Sequence, residues 1–196
     1  MFVRLGYSIV SALVLTLLTA GDVKAEWLKD QRELMGTQIT VELWAEEVAS
    51  GEKAIEQVFD EVRRLDEMMN PWNPNSELSR INREATDRAV VTTLEIIEVV
   101  SRALHYSRLS GGAFDISFAS VGQHYDYRLG QAPDEKTVNE DKANIDYHAI
   151  SLDPQAATLF FTKPGLQIDL GGIAKGYAVD RGIEILRRAG IVAAVI

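Results

Sequence analysis

No cysteine occurs anywhere in the 196 residues. That excludes disulfides, thiolate metal sites, cysteine nucleophiles and a lipidated N-terminal cysteine. Histidine is scarce as well. His105, His124 and His148 lie far apart and show no metal-ligand spacing. Positive charge is in short supply: 20 Lys and Arg face 29 Asp and Glu, a formal charge of −9. Such a chain has no long-range attraction for phosphate backbones, which disfavours a general role on nucleic acid or on an anionic membrane. A small anionic ligand held locally by backbone N–H groups is not excluded. After the N-terminal region no apolar run is long enough to span a bilayer, which takes about 20 residues.

What is present begins with an export pattern. Arg4 supplies a short positive start, and residues 8–20 form an apolar run of signal-peptide length. Val23-Lys24-Ala25 then offers small residues at the −3 and −1 positions of a cleavage site. Residues 1–25 are therefore expected to be a cleaved signal peptide and the protein periplasmic, without stable membrane insertion after cleavage. Removing Arg4, Asp22 and Lys24 with that segment leaves a charge of −10. With 46% apolar residues, residues 26–196 suffice for one domain with a real core.

Hydrophobic spacing organises that domain. Residues 37–44 alternate, with Ile39, Val41 and Leu43 on one face, and predict a half-buried strand. Residues 52–69 place Ile55, Val58, Phe59, Val62, Leu65 and Met69 at helical spacing, with Ser50 or Gly51 as the start. The Pro- and Asn-rich run from Asn70 predicts a loop, followed by a short helix over 76–81 and a brief strand over 89–91. Thr92 and Glu95 match a capping box. The helix it opens runs to about Ser110, buries Leu94, Ile97, Val100 and Leu104, and stops at Gly111-Gly112. Residues 122–145 read as a polar surface excursion. Strands are expected over 148–153, 157–162 and 165–170, then a helix over 172–189 and a last strand from Ile191. The class is α+β, with helices packed on a mixed or mostly antiparallel sheet.

Three stretches carry candidate chemistry. In "QIDLGGIAKGYAVDRG", residues 167–182, a strand-like run ends in Asp169, then a glycine pair, then Lys175 on a helix. Backbone N–H groups and the helix dipole at such a start suit a phosphate, and Lys175 adds a full charge. The spacing is neither a Walker loop nor the dinucleotide fingerprint. Asp169 could bind a sugar hydroxyl, a ring nitrogen or a metal's water shell. The plainer alternative is a glycine start that allows close packing, with Ala174, Ala178 and Gly182 as a small-residue stripe facing the sheet. In "SGGAFDIS", residues 110–117, Phe114 and Asp115 could hold a heteroaromatic ring, or Phe114 could simply be buried after a helix cap. Trp72, between Pro71 and Pro74, could stack on a ligand ring or cover the core. Met35-Gly36-Thr37 reads only as a turn entering the first strand.

In combination these stretches are more specific. "MGT" before a first strand, "NPNSELSRIN" after a long helix, "GGAFDIS" after a second and "IDLGGIAKGYAVD" before a third resemble the ApbE family. These are the FAD:protein FMN transferases, formerly called thiamine biosynthesis lipoproteins. The resemblance runs in order from about Met35 to Ile196. It implies a T-fold-related α+β architecture and an exported enzyme. That enzyme would use FAD as substrate with Mg²⁺ and transfer FMN to a Thr or Ser hydroxyl of a partner protein. The implied partner is a flavin-acceptor subunit of a membrane redox complex. The implied FAD contacts are Met35, Trp72, Ala113, Phe114, Asp115, Asp169 and Lys175, and Gly172 matches a position whose carbonyl binds the metal. No catalytic base is assigned. Family members continue with a glycine-aspartate turn and a late segment that completes the Mg²⁺ site, so the chain is read as an N-terminal portion, incomplete at its C-terminus. The alternative function is a non-catalytic periplasmic module that binds FAD or the acceptor, or a truncated remnant.

Overall fold

A short hairpin opens the fold in this computed structural model, which describes residues 25–126 and 129–196. The expected signal peptide lies outside the described residues. Strand β1 (Glu26–Leu34) pairs antiparallel with β2 (Thr37–Ala45) along its whole length, and Leu34 faces Thr37 across a two-residue turn. Helix α1 (Val48–Met69) follows, then α2 (Glu77–Glu84), β3 (Val90–Val91) and α3 (Leu94–Leu109). The short α4 (Ala119–Gly122) and α5 (Glu135–Asp141) lead to β4 (Ile150–Asp153) and β5 (Thr158–Phe161). Helix α6 (Gly171–Arg188) and strand β6 (Ala194–Val195) complete the order.

Two three-stranded sheets result, in the orders β1-β2-β6 and β3-β5-β4. Every strand pair among the described residues is antiparallel. The structure is thus the α+β arrangement expected. Among the described residues no helix is long and apolar enough to cross a membrane.

The core forms where helix α1 covers the first sheet. Its stripe of Ile55, Val58, Phe59, Val62, Leu65 and Met69 is buried, together with Val41, Leu43 and Ala45 of β2. The helix begins at Val48, ahead of the expected Ser50 or Gly51. Gly51 instead sits within the first turns, where a Cβ would lie 2.5 Å from the Ala45 Cβ and 2.6 Å from Leu28 Cδ1. The helix can therefore begin early because glycine lets its first turns rest on the hairpin. In the small-residue stripe of α6, Gly182 meets a helix. At Gly182 a Cβ would meet Val58 of α1 at 3.0 Å and Ile196 at 2.6 Å. The close approach at Gly182 is to helix α1 and to Ile196, which follows β6.

Three further differences have local causes. Helix α3 is capped by Thr93, whose hydroxyl accepts the Ile96 N–H at 3.3 Å, and not by Thr92. The expected capping box fails because Glu95 turns to Arg64 of α1 and to the Tyr177 hydroxyl, 3.0 Å away. Glu77 of α2 takes over: its carboxylate accepts the Thr93 N–H at 2.8 Å and the Thr92 hydroxyl. That one-residue shift leaves Leu94 exposed and buries Ile96 and Val99 alongside Ile97, Val100 and Leu104. The polar stretch over 122–145 contains helix α5, whose N-cap is Asp134.

The third expected strand, residues 165–170, belongs to no ladder: Gly165 lies in a turn with φ of +79°, and residues 166–170 form no strand. Leu166, Ile168 and Leu170 are fully buried, so the alternation is real. The partners of its backbone are side chains and a turn. Asn82 of α2 donates to the Ile168 carbonyl and accepts the Ile168 N–H, both at 2.9 Å. Ser120 accepts the Gln167 N–H at 3.0 Å, and the Ile116 carbonyl accepts the Asp169 N–H at 2.9 Å. A buried backbone needs its partners but does not need them from a strand.

Candidate functional site

That unladdered segment delivers Asp169 to the start of α6, where the glycine pair lies exposed. The Asp169 Oδ1 accepts the Gly171 N–H, so the carboxylate serves one of the helix's first donors. Both glycines are closely approached by side chains. A Cβ at Gly171 would lie 2.9 Å from Asp169 Oδ1, and one at Gly172 would lie 3.0 Å from the Phe114 ring. The pair therefore sits between a carboxylate and an aromatic face.

Two depressions flank it. The first, about 200 Å³, is walled by Met35, Asp66, Trp72, Asp169, Gly171 and Lys175. Among its lining residues Lys175 is the cation, one turn into α6 and exposed, with its Nζ 3.3 Å from the Gly171 carbonyl. Together with the N-terminal end of the helix dipole it offers positive character to an anion. The second depression, about 430 Å³, is lined by Tyr106, Leu109, Ser110, Phe114, Gly172 and Ile173. It is mostly apolar and suits a ring or other flat group.

Met35 and Trp72 reach the first depression from separate elements. Met35 and Gly36 form the hairpin turn between β1 and β2, with φ of +52° and +68°. Positive φ at both central positions is the type I′ hairpin pattern, matched to the strand twist. Met35 thus follows a strand as well as preceding one, a difference from the sequence reading. The preceding strand escaped notice because Glu26–Leu34 is largely charged and only half-buried. Trp72 is 63% exposed, so it does not cover the core. Its loop is held firmly: its N–H donates to the Asn70 Oδ1 at 2.9 Å, and Ser79 donates to the Pro71 carbonyl at 3.1 Å.

The "AFD" triplet divides. Phe114 turns its ring to Gly172 and donates its N–H to Ser110 Oγ at 3.0 Å. Asp115 caps the 3-10 turn over 116–118, accepting from the Ser117 N–H and hydroxyl at 2.8 and 2.6 Å and from the Tyr147 N–H at 3.1 Å. Ala113 is exposed beside it. Neither Ala113 nor Asp115 lines either depression. The structure therefore brings Met35, Trp72, Asp169 and Lys175 to one side of the glycine pair and Phe114 to the other.

Two residues that matter here were not singled out from sequence. Asn82 holds the segment that carries Asp169. Its only sequence signal is that it closes the "SELSRIN" run. Asp66 lines the first depression from α1. Its signal is a carboxylate next to Leu65 on the buried edge of an amphipathic helix.

The metal expectation finds limited support in these groups. No set of three or more His, Asp or Glu among the described residues could hold a metal ion. Gly172 offers a single carbonyl, and Asp169 is engaged with the helix start. Mg²⁺ takes near-octahedral oxygen ligation, so the described residues do not by themselves fit it. The histidines are elsewhere: His124 pairs with Asp141 at 2.7 Å and His148 with Asp146 at 3.0 Å.

Comparison with known proteins bears on the arrangement. The family model described as "ApbE family" matches residues 35–196. A Chlamydia muridarum protein named FAD:protein FMN transferase is 33% identical over 131 residues, which cover 66% of this chain and 40% of that protein. A Klebsiella pneumoniae protein of the same name is 25% identical over 167 residues, covering 83% of this chain and 51% of that one. Among solved structures, the flavin transferase ApbE from Vibrio cholerae superposes with a TM-score of 0.78 at 22% identity, over 87% of this chain and 56% of that chain. The ApbE protein from Thermotoga maritima gives 0.75 at 22% identity, over 84% of this chain and 53% of that chain. The chain thus spans about half the length of these relatives, or less.

Proposed function

The chain belongs to the ApbE family, and on that premise we propose that it serves flavin transfer, moving FMN from FAD to a Thr or Ser hydroxyl of a partner flavoprotein. The observation that carries the reading is the exposed glycine pair of α6, set between Lys175 and the Trp72 loop on one side and Phe114 on the other. A diphosphate with an aromatic group at each end asks for a cation and a helix N-terminus in the middle and aromatic surfaces at the flanks, which Lys175, the start of α6, Trp72 and Phe114 supply. The relatives named FAD:protein FMN transferase support the same substrate.

The chemistry would be a phosphoryl-type substitution. The acceptor oxygen bonds to the FMN phosphorus, the bond from that phosphorus to the bridging oxygen breaks, AMP leaves with that oxygen, and the hydroxyl proton passes to solvent. Negative charge gathers on the diphosphate oxygens as that bond breaks. Lys175 and the α6 N-terminus would bind those oxygens and stabilise the charge. Phe114 and Trp72 would orient rings. Mg²⁺, when bound, would add charge neutralisation, with the Gly172 carbonyl as one ligand. The described residues make no complete site for it, so no step here depends on it. The partner is proposed to be a flavin-acceptor subunit of a membrane redox complex, met in the periplasm.

A second reading, a module that holds FAD without transferring it, is favoured by one observation: the described residues do not fit the metal. One experiment separates the two. The chain is mixed with FAD, Mg²⁺ and a flavin-acceptor domain, and the acceptor is examined for covalent flavin fluorescence after denaturing electrophoresis. A Mg²⁺-dependent band supports transfer, and FAD binding without a band supports the module. Absence of FAD binding overturns both. Lys175→Ala should weaken FAD about tenfold while leaving riboflavin unchanged, because its partner is phosphate. Equal losses for the two ligands would remove that role.

A further inference from the structure

Asp66 sits where three elements meet, and its two oxygens face two of them. The Oδ2 accepts the Met35 N–H at 3.0 Å across 31 residues of sequence. The Oδ1 receives the Asn70 amide N–H at 3.4 Å, and the Asn70 Oδ1 in turn accepts the Trp72 N–H at 2.9 Å. One carboxylate on α1 thereby connects the hairpin turn to the Trp72 loop. Met35 needs such a tether. It is one of two non-glycine residues with positive φ among the described residues, a conformation that an L-residue adopts only at a cost.

From this geometry we infer that Asp66 is a positioning residue of the site, setting Met35 and Trp72 at a fixed separation on one wall of the cleft. The inference rests on the proposal that the cleft takes FAD, but its immediate claim concerns the protein alone. Asp66 acts through Met35 and Trp72. It holds the turn by a charge-assisted bond and the loop through Asn70. Serving both with one rigid group transmits any change in the turn to the loop. Ser79 on the Pro71 carbonyl and Arg83 on the Pro74 carbonyl tie the loop to α2, and turn bonds from Asn73 and Asn75 brace it internally, whereas Asp66 ties it to the hairpin turn.

The test uses a Trp27→Phe, Trp44→Phe background of the chain, so that Trp72 alone emits. Three forms are compared: the parent, Asp66→Leu and Asp66→Asn. Amide exchange is measured at Met35 and Trp72 without ligand, and FAD affinity by quenching of Trp72. Asp66→Leu should lower Met35 protection and weaken FAD, each by roughly tenfold or more, the consequence of losing a hydrogen bond to a charged acceptor. Core amides such as Val41 should keep their protection. Asp66→Asn still offers an acceptor to Met35 and should restore its protection. It presents an amide to Asn70, so Trp72 should recover less. A general loss of stability would not produce that split. Unchanged Met35 exchange in Asp66→Leu, or equal failure of both variants at both amides, would overturn the inference. Absence of FAD quenching in the parent would overturn the flavin reading instead, and the exchange measurement would still decide the role of Asp66.

Discussion

Strand β2 and the segment over 166–170 carry the same sequence pattern and are secured in different ways. Both alternate, and both bury every second side chain: Val41, Leu43 and Ala45 in one, Leu166, Ile168 and Leu170 in the other. The peptide groups of β2 pair residue by residue with β1, and with β6 near its end. Those of the segment are met by an amide side chain, a hydroxyl and a turn carbonyl. Alternation therefore reports which face is buried. It does not report what satisfies the backbone. The difference has a use. A laddered strand is bound along its length, whereas the segment is gripped at a few points and then released into the exposed glycine pair.

The largest way to break this comparison is to empty the laddered side. Leu43→Ala should cost about 2–5 kcal/mol, read as a lower thermal midpoint, with the exchange of Ile168 moving only as far as global stability does. The segment should answer to a smaller change. Asn82→Ala leaves both peptide groups of Ile168 without their partner and should cost roughly 2 kcal/mol. Exchange at Ile168 and Asp169 should rise above the global rate while Val41 stays protected. If the Ile168 amide stays protected in that variant, side-chain bonding is not what holds the segment.

A local side-chain bond gives a third case. Thr93→Ala removes the cap of α3 and should cost about 1 kcal/mol, with fraying confined to the first turn of that helix. The smallest effect is one of pH. Burial, and next the hydrogen bond to Glu95, push the Tyr177 phenol up to about 12. An ordinary tyrosine titrates near 10. Tyr177 therefore contributes its stabilisation fully below pH 10, and that contribution is lost as pH rises toward 12. Tyr177→Phe should flatten the alkaline fall in stability relative to the parent, measured by denaturant melts at pH 9 and pH 11. Parallel falls in the two proteins would count against the clamp of α3 on α6.

Much of the frame was legible because apolar spacing dictates it. The stripe of α1 and the alternation of β2 each name their buried residues. What failed were places where a polar side chain had a choice of partner. Glu95 fits a capping box by position, but Arg64 and Tyr177 claim it, and the cap moves to Thr93. Strand β1 was missed because a charged sequence can pair when its neighbour supplies the buried face. At the site, Met35, Trp72, Asp169 and Lys175 line one depression, whereas Asp115 turns to Ser117 and Tyr147. Asp66 and Asn82 escaped notice because their partners lie 31 and 86 residues away, and spacing arguments see only near neighbours.

That last separation also sets an order of events. The hairpin closes over two residues, and its ladder needs little loop entropy. The bonds from Asn82 to Ile168 close a loop of 86 residues, and such contacts form only after more local structure has lowered their cost. The mouth of the cleft is therefore expected to be among the last parts of the chain to take shape. In pulse-labelled exchange during refolding, Val41, in a hydrogen-bonded pair with Asp30, should gain protection before Ile168. A chain arrested partway would then have a formed hairpin and long helix, with no binding surface yet assembled on them.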